Sequence, residues 1–176
     1  ALCCPDEESR NRVKFYATQA RDQAPHYEHT RIGYNYRLSN VCAGIGRGQM
    51  LSLPSFLEKR RGIHEEYRRR LSGVPGLSLL ENPDSRYHSN HWLTCVQVNP
   101  EEARFDRETL RLALQKAGVE SRPLWKPMHL QPVFRSCPFY GSGVSDRLFE
   151  EGLCLPSGAS LAGEDMDRII DVLLNL

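Results

Sequence analysis

HYEHTRIGYNYRLSNVCAGIGRGQ, residues 26–49, is the stretch on which the reading of this chain turns. Its first part, His26 to Tyr36, keeps no helical or strand period and is rich in aromatic residues. Gly33-Tyr34-Asn35-Tyr36-Arg37 places an amide and a guanidinium two residues apart, flanked by aromatic rings. An asparagine amide can donate to an oxyanion, and the planar fork of an arginine can grip a phosphate. The second part turns helical from about Ser39, yet it carries Gly44, Gly46 and Gly48. Each interior glycine costs a helix about 1 kcal/mol relative to alanine. The run therefore reads either as a poor helix or as a surface that another backbone approaches closely.

Upstream, Asp6 suits a helix N-cap, and Glu7 and Glu8 suit the positive first turn. Val13, Tyr16, Ala17 and Ala20 share one helical face, and the helix is expected to stop before Ala24-Pro25. The opening residues 1–4 read as the end of a strand. Downstream, Pro54 is expected to restart or kink the helix, with Ser52 as its cap. Leu53, Phe56, Leu57, Ile63, Tyr67 and Leu71 form the inner stripe of that second helical part. Lys59-Arg60-Arg61 and Arg68-Arg69-Arg70 alternate with Glu58, Glu65 and Glu66, the pattern of a solvated mixed-charge face.

After Gly73 the period changes. Leu77–Leu80 and Trp92–Val98 read as strands across an Asn/Asp/Ser-rich loop. Asp106 caps a helix whose inner face is Leu110, Ala113, Leu114 and Ala117, and Gly118 ends it. Val119–Arg122 reads as a short strand entering a proline-rich loop, Pro123 to Pro138. Ser145 opens a short helix, Leu153–Pro156 is a buried strand, and Glu164–Leu174 is a closing helix with a continuous apolar stripe. The pattern predicts an α+β fold, a mainly antiparallel sheet covered by helices. It divides as 1–38, an entry segment and loop; 39–73, long connecting helices; and 74–176, the α+β domain.

Composition narrows the function classes. With 23 Lys+Arg against 22 Asp+Glu, the chain lacks the excess positive charge on which nucleic-acid binding runs. No apolar run approaches membrane-spanning length. The six cysteines are scattered, which suits reduced thiols in a cytoplasmic protein better than a secreted disulfide scaffold. His26-x-x-His29 and His88-x-x-His91 lack the further ligands that a metal site requires, so no metal is expected. G-x-S-x-G, P-loop and G-x-G-x-x-G motifs are absent.

A second loop stands out: SRPLWKPMHLQPVF, residues 121–134. Its prolines restrict the backbone and would hold Trp125, Lys126 and His129 in a fixed presentation, as a preorganised binding loop requires. Packing of aromatic rings and prolines between elements would account for both loops equally well.

HYEHTRIGYNYRLSNVCAGIGRGQ, SRPLWKPMHLQPVF and GLCLPSGASL (152–161) together resemble the DegT/DnrJ/EryC1/StrS aminotransferases, which act on nucleotide-linked keto-sugars. The likeness runs nearly end to end, with GYNYRLSN its most specific element. The KPMHLQP form most resembles members that aminate the C4 keto group of UDP-linked 6-deoxy-sugars. The resemblance implies a fold-type-I, pyridoxal phosphate-dependent enzyme, of which this chain matches the part after the cofactor-bearing lysine: the end of the large domain and the small domain. Lys14, Lys59, Lys116 and Lys126 are its lysines, and none stands in the family's lysine motif. The resemblance therefore implies no catalytic residue here, no cofactor held by this chain alone, and no transamination by it alone.

In the family the active site lies at a dimer interface. By resemblance Asn35 would reach the cofactor phosphate of the neighbouring subunit, Arg37 would contact the sugar nucleotide, and His129 would face the substrate. A homodimer is expected. The alternatives are half of a split aminotransferase acting with a lysine-bearing partner chain, and a non-catalytic module binding nucleotide-sugars or an intact family member. Gly44 where alanine is usual, Pro54 within a helix, and Ala162 where Thr or Ser would cap each depart from the family pattern.

Overall fold

The computed structural model describes residues 2–176, which form two compact units, one up to Ser52 and one from Leu53 to Leu176. In the first unit, helix α1 spans Glu7–Ala17, and Asp6 caps it by accepting from Ser9 N at 2.7 Å. That bond holds the Asp6 carboxyl below the usual carboxylate range.

The helix stops well short of Pro25. Thr18 closes it, its backbone N donating to Lys14 O at 3.0 Å and its hydroxyl to the same carbonyl at 2.8 Å. Gln19 (φ 71°) and Ala20 (φ 48°) then enter the left-handed region, and Ala20 N donates to Phe15 O at 2.9 Å. The cause is a contact distant in sequence. Tyr34 N donates to Tyr16 O at 2.9 Å, Gln19 N to Tyr34 O at 3.0 Å, and Tyr36 N to Ala17 O at 3.0 Å. Residues 34–36 thus lie antiparallel against the helix end, with Thr18 bridged to Asn35. Gly33 makes this possible, because a Cβ there would collide with the backbone of Gln19 and Ala20. Residues 2–4 form no strand, and Ala1 of the expected strand end lies outside the described residues.

Helix α2, Asn40–Leu71, is continuous through Pro54, where a restart or break was expected. Proline removes the bond to the carbonyl of Met50, but Met50 and Pro54 are both exposed, so water can serve that carbonyl. Ser39 Oγ, not Ser52, accepts from an early helix amide, Cys42 N, at 3.2 Å. Gly44, Gly46 and Gly48 face open space, with no described atom near where a Cβ would stand. Of the expected inner stripe, Tyr67 and Leu71 are buried, whereas Leu53 and Phe56 remain exposed.

The second unit is built on four antiparallel strands in the order β1 (Leu77–Leu79), β2 (Thr94–Val98), β4 (Gly152–Leu155), β3 (Arg122–Pro123). Strand side chains alternate between faces. Leu77 opposes Val98, Val96 opposes Leu153, and Thr94 opposes Leu155, so these share the inner face. Against it pack Leu110 and Leu114 of α4 (Arg107–Lys116) and Met166, Ile169, Ile170 and Leu173 of α6 (Gly163–Leu174). Tyr67 and Leu71 complete the core, and the Tyr67 hydroxyl donates to Pro156 O at 3.0 Å. The expected α+β architecture, an antiparallel sheet covered by helices, is the one observed.

Asp106 caps α4 through Thr109 N at 2.7 Å, and Gly118 (φ 72°) ends it. The expected strand Val119–Arg122 shrinks to Arg122–Pro123, because Val119 is drawn into the core and its amide donates to Leu114 O at 2.9 Å. A short helix α3, Pro100–Ala103, follows β2. Asn99 caps it by accepting from Glu101 N at 3.1 Å. Helix α5 spans Val144–Glu151. Ala162 gives α6 no side-chain cap, and Asp165 compensates in part by accepting from Ala162 N at 3.4 Å.

Candidate functional site

Two groups of side chains carry the candidate chemistry, one in each unit. In the first unit, pairing with the end of α1 fixes the backbone of Tyr34-Asn35-Tyr36. The Tyr34 and Tyr36 rings stack with centroids 5.3 Å apart and planes 11° apart, so their alternate partner, Asn35, stands on the other side of the strand. The Asn35 amide is exposed and has no protein partner among the described residues, and the same holds for the Arg37 guanidinium. A shallow pocket of about 500 Å³ lies beside Asn35, bordered by Gln19, His29, Thr30 and Arg31. Its outer loop is tied to itself: Asp22 accepts from Thr30 N at 2.7 Å, and His29 Nδ1 lies 3.0 Å from Gln19 O.

In the second unit, the proline-rich segment folds into two 3-10 turns, Met128–Leu130 and Pro132–Phe134. Pro127 and Gln131 precede them, with Leu130 N donating to Pro127 O at 3.0 Å and Phe134 N to Gln131 O at 2.9 Å. His129 stacks on Phe139, centroids 3.6 Å apart, and its Nε2 lies 2.8 Å from Asp146 Oδ1. The geometry is not that of a hydrogen bond, and the buried Nε2 has no hydrogen-bond partner among the described residues. The Phe139 ring and the neighbouring Asp146 carboxyl, both of its own unit, enclose His129, whose side chain is only 17 % exposed. The sequence held no signal for Asp146 or Phe139 in this role.

Trp125 of the same loop stands 6.1 Å from Trp92, ring centre to ring centre, with both rings exposed. They flank a cleft of about 590 Å³ that runs past Arg122, Cys154, Ser157 and Arg168. Asn35 and Arg37 belong to one unit and His129 to the other. Among the described residues no cluster of three or more potential metal ligands occurs, and no helix is long and apolar enough to cross a membrane.

The model of the DegT/DnrJ/EryC1/StrS aminotransferase family matches residues 1–174. The chain belongs to that family. EpsN of Bacillus subtilis (strain 168), classed as a pyridoxal phosphate-dependent aminotransferase, is 38 % identical over 99 % of this chain and 45 % of its own length. The GDP-perosamine synthase of Vibrio cholerae is 29 % identical over 85 % of this chain and 40 % of its own. Among solved structures, the aminotransferase TlmJ from Streptoalloteichus hindustanus superposes with a TM-score of 0.82 at 27 % identity, over 98 % of this chain and 46 % of that one. The chain thus spans just under half the length of the relatives it matches.

The donor set fits one end of the family's cofactor. A free amide on a fixed backbone can donate to a phosphate, and Asn35 offers one; the Arg37 guanidinium is a separate free group able to grip another anion. No lysine stands within the GYNYR segment or the 3-10 turns that carry His129.

Proposed function

We propose that these residues form the carboxyl-terminal part of a sugar-nucleotide aminotransferase and that the 176 residues do not transaminate by themselves. The observation that carries this reading is Asn35: its backbone is fixed by the α1 ladder while its amide faces outward without a partner. Such a group contributes to a site completed by another surface. In this reading Asn35 binds the phosphate of a cofactor carried by a neighbouring subunit, Arg37 grips the anionic nucleotide, and His129 faces the sugar. Pyridoxal phosphate, when bound, supplies the electron sink for amino-group transfer. His129 keeps its position through Phe139 and Asp146. The substrate class is a nucleotide-linked keto-sugar aminated at C4. The loop form favours a UDP-linked 6-deoxy-sugar, and the likeness to GDP-perosamine synthases supports a GDP-linked one as the second choice.

The lysine-bearing residues would come from the same polypeptide or from a partner chain. Self-association into a dimer belongs to this reading, because Val41, Ile45, Met50 and Leu51 lie exposed on the glycine-rich half of α2. A monomer by light scattering throughout the micromolar range would count against it.

Complementation tests the assignment. A full-length family member whose own counterpart of Asn35 is replaced by alanine should be inactive and should recover turnover when mixed with this chain. The Asn35→Ala form of this chain should restore nothing. Restoration by both forms, or by neither, overturns the assigned role. The chain alone, incubated with pyridoxal phosphate and reduced with borohydride, should carry no stable adduct at any of its four lysines. An adduct accompanied by turnover would show an autonomous enzyme.

A further inference from the structure

The outer face of the sheet holds a row that the proposed function does not use. Cys95 of β2, Cys154 of β4 and Arg122 of β3 lie in register: Cys95 pairs with Cys154, and Cys154 with Arg122. The two sulfurs are 3.8 Å apart. Directly opposed residues on antiparallel strands have Cα atoms about 4.5 or 5.5 Å apart, and disulfides span about 4.4–6.8 Å. Either pairing type therefore admits a bond without backbone rearrangement. The two thiols differ in setting, since Cys154 lines the cleft beside Trp92 and Trp125 and Cys95 does not. Cys154 is held below the usual thiol value by its hydrogen bond with Cys95, and Arg122 adds to the effect. Cys95 is pushed up by the same hydrogen bond and by burial. Cys154 is only 7 % exposed, yet it borders the cleft flanked by Trp92 and Trp125, which gives a small reagent a route to it.

We propose that Cys95 and Cys154 form a peroxide-reactive dithiol, with Cys154 the attacking sulfur and Cys95 the resolving one. The Cys154 thiolate attacks one oxygen of hydrogen peroxide. The O–O bond breaks, a sulfenic acid forms, and the departing hydroxide takes a proton to become water. The Cys95 sulfur then attacks the sulfenic sulfur. An S–S bond forms, the S–O bond breaks, and the hydroxide leaves as a second water with the Cys95 proton. Two thiols are oxidised by two electrons and one peroxide is reduced to two waters. The product ties β2 to β4 at the centre of the sheet. Arg122 is exposed and paired with Glu120 at 2.6 Å, so it adds a partly neutralised positive charge beside Cys154. Cys3, Cys42 and Cys137 are exposed and have no neighbouring thiol paired with them in a strand register.

The test is peroxide treatment of the folded chain, trapping of free thiols with N-ethylmaleimide, digestion and mass spectrometry. The expected result is one intramolecular link between the peptides bearing Cys95 and Cys154, reversed by dithiothreitol. The same treatment in urea should lower its yield by about tenfold or more, because registry supplies the proximity. In Cys95→Ser, Cys154 should stop at the sulfenic acid, captured by dimedone. In Cys154→Ser, Cys95 should stay reduced. Arg122→Gln should slow the link several-fold while circular dichroism shows the fold intact. A link that forms equally well in urea, or peroxide consumed by the exposed cysteines while the strand pair stays reduced, overturns the proposal.

Discussion

The residues before Ser52 and those after it follow opposite rules. In the second unit Val96, Val98, Leu110, Leu114, Leu153, Leu155 and the inner face of α6 close a core of their own. In the first, Ala20 is the one buried residue among those described, while Ile32, Leu38, Val41, Ile45 and Leu51 are exposed. Hydrophobic burial is the main favourable term in folding. The second unit therefore carries its own stability, and the first leaves its apolar surface exposed. The division also separates the candidate chemistry. Asn35 and Arg37 stand ready on the unit without a core, whereas His129 is already engaged on the unit with one.

The strongest challenge to this contrast uses one substitution twice. Leu153→Ala should cost the second unit about 2–5 kcal/mol, as large-to-small changes in packed cores do. Leu51→Ala, the same change on an exposed helix face, should stay within about 0.5 kcal/mol in a monomer. Urea unfolding followed by circular dichroism measures both. Equal losses would show that Leu51 is buried in solution.

Hydrogen exchange sharpens the contrast within the loops. Residues 26–36 should exchange quickly in a demonstrated monomer, since few of their amides are bonded beyond the turn at Asp22 and the pairing with α1. Residues 123–132 should be better protected, because 3-10 turns and the seat of His129 order them. Strong protection across 26–36 with fast exchange across 123–132 would reverse the ordering.

A smaller effect tests how the core is tied to the sheet. Tyr67→Phe keeps the buried ring and loses the donor to Pro156 O, for an expected cost of about 1 kcal/mol by thermal or urea melting. No measurable loss would place that carbonyl in contact with water.

The smallest expected effect is electrostatic. Burial holds His91 below its ordinary value, and the His64 ring stacked on it at 3.7 Å adds to the shift. With the folded value depressed, the unfolded chain binds more protons as the pH drops through about 6.5, so this contribution to stability is present above that pH and lost below it. His91→Asn keeps a residue that tolerates the φ of 44° found there. It should lessen the fall in melting temperature as the pH drops through about 6.5. An unchanged slope would assign the pH response to other groups.

Much of the second unit was legible because its signals are local. Asp106 and Gly118 bracket a helix, alternation marks Thr94–Val98, and the stripe of α6 is continuous in the sequence. The short helix α3 also had a readable signal, an Asn cap followed by proline at the first helical position, which the strand-centred reading passed over. The misreadings arose where distant residues decide the conformation. Nothing before Ala24 announces that α1 ends at Ala17; the cause is Gly33 and the strand after it. His64 is buried on a stripe read from apolar residues alone, and Val119 leaves its expected strand for the core. For the site, the GYNYR and KPMHLQP segments were visible as unusual loops. The Phe139 and Asp146 seat of His129 was not, since each of those residues is ordinary in its own segment.

The strand order β1-β2-β4-β3 has a consequence for biosynthesis. β4, an inner strand, is the last of the four to be translated, and both β2 and β3 pair with it. Until Gly152–Leu155 has left the ribosome, β2 has one open edge and β3 has no neighbour, and unpaired edges invite association with other nascent chains. The sheet must therefore close late and over long sequence separations, which slows folding. A chain stalled while Gly152–Leu155 is still inside the ribosome should be protease-sensitive and dependent on chaperones, and emergence of those four residues should change both together.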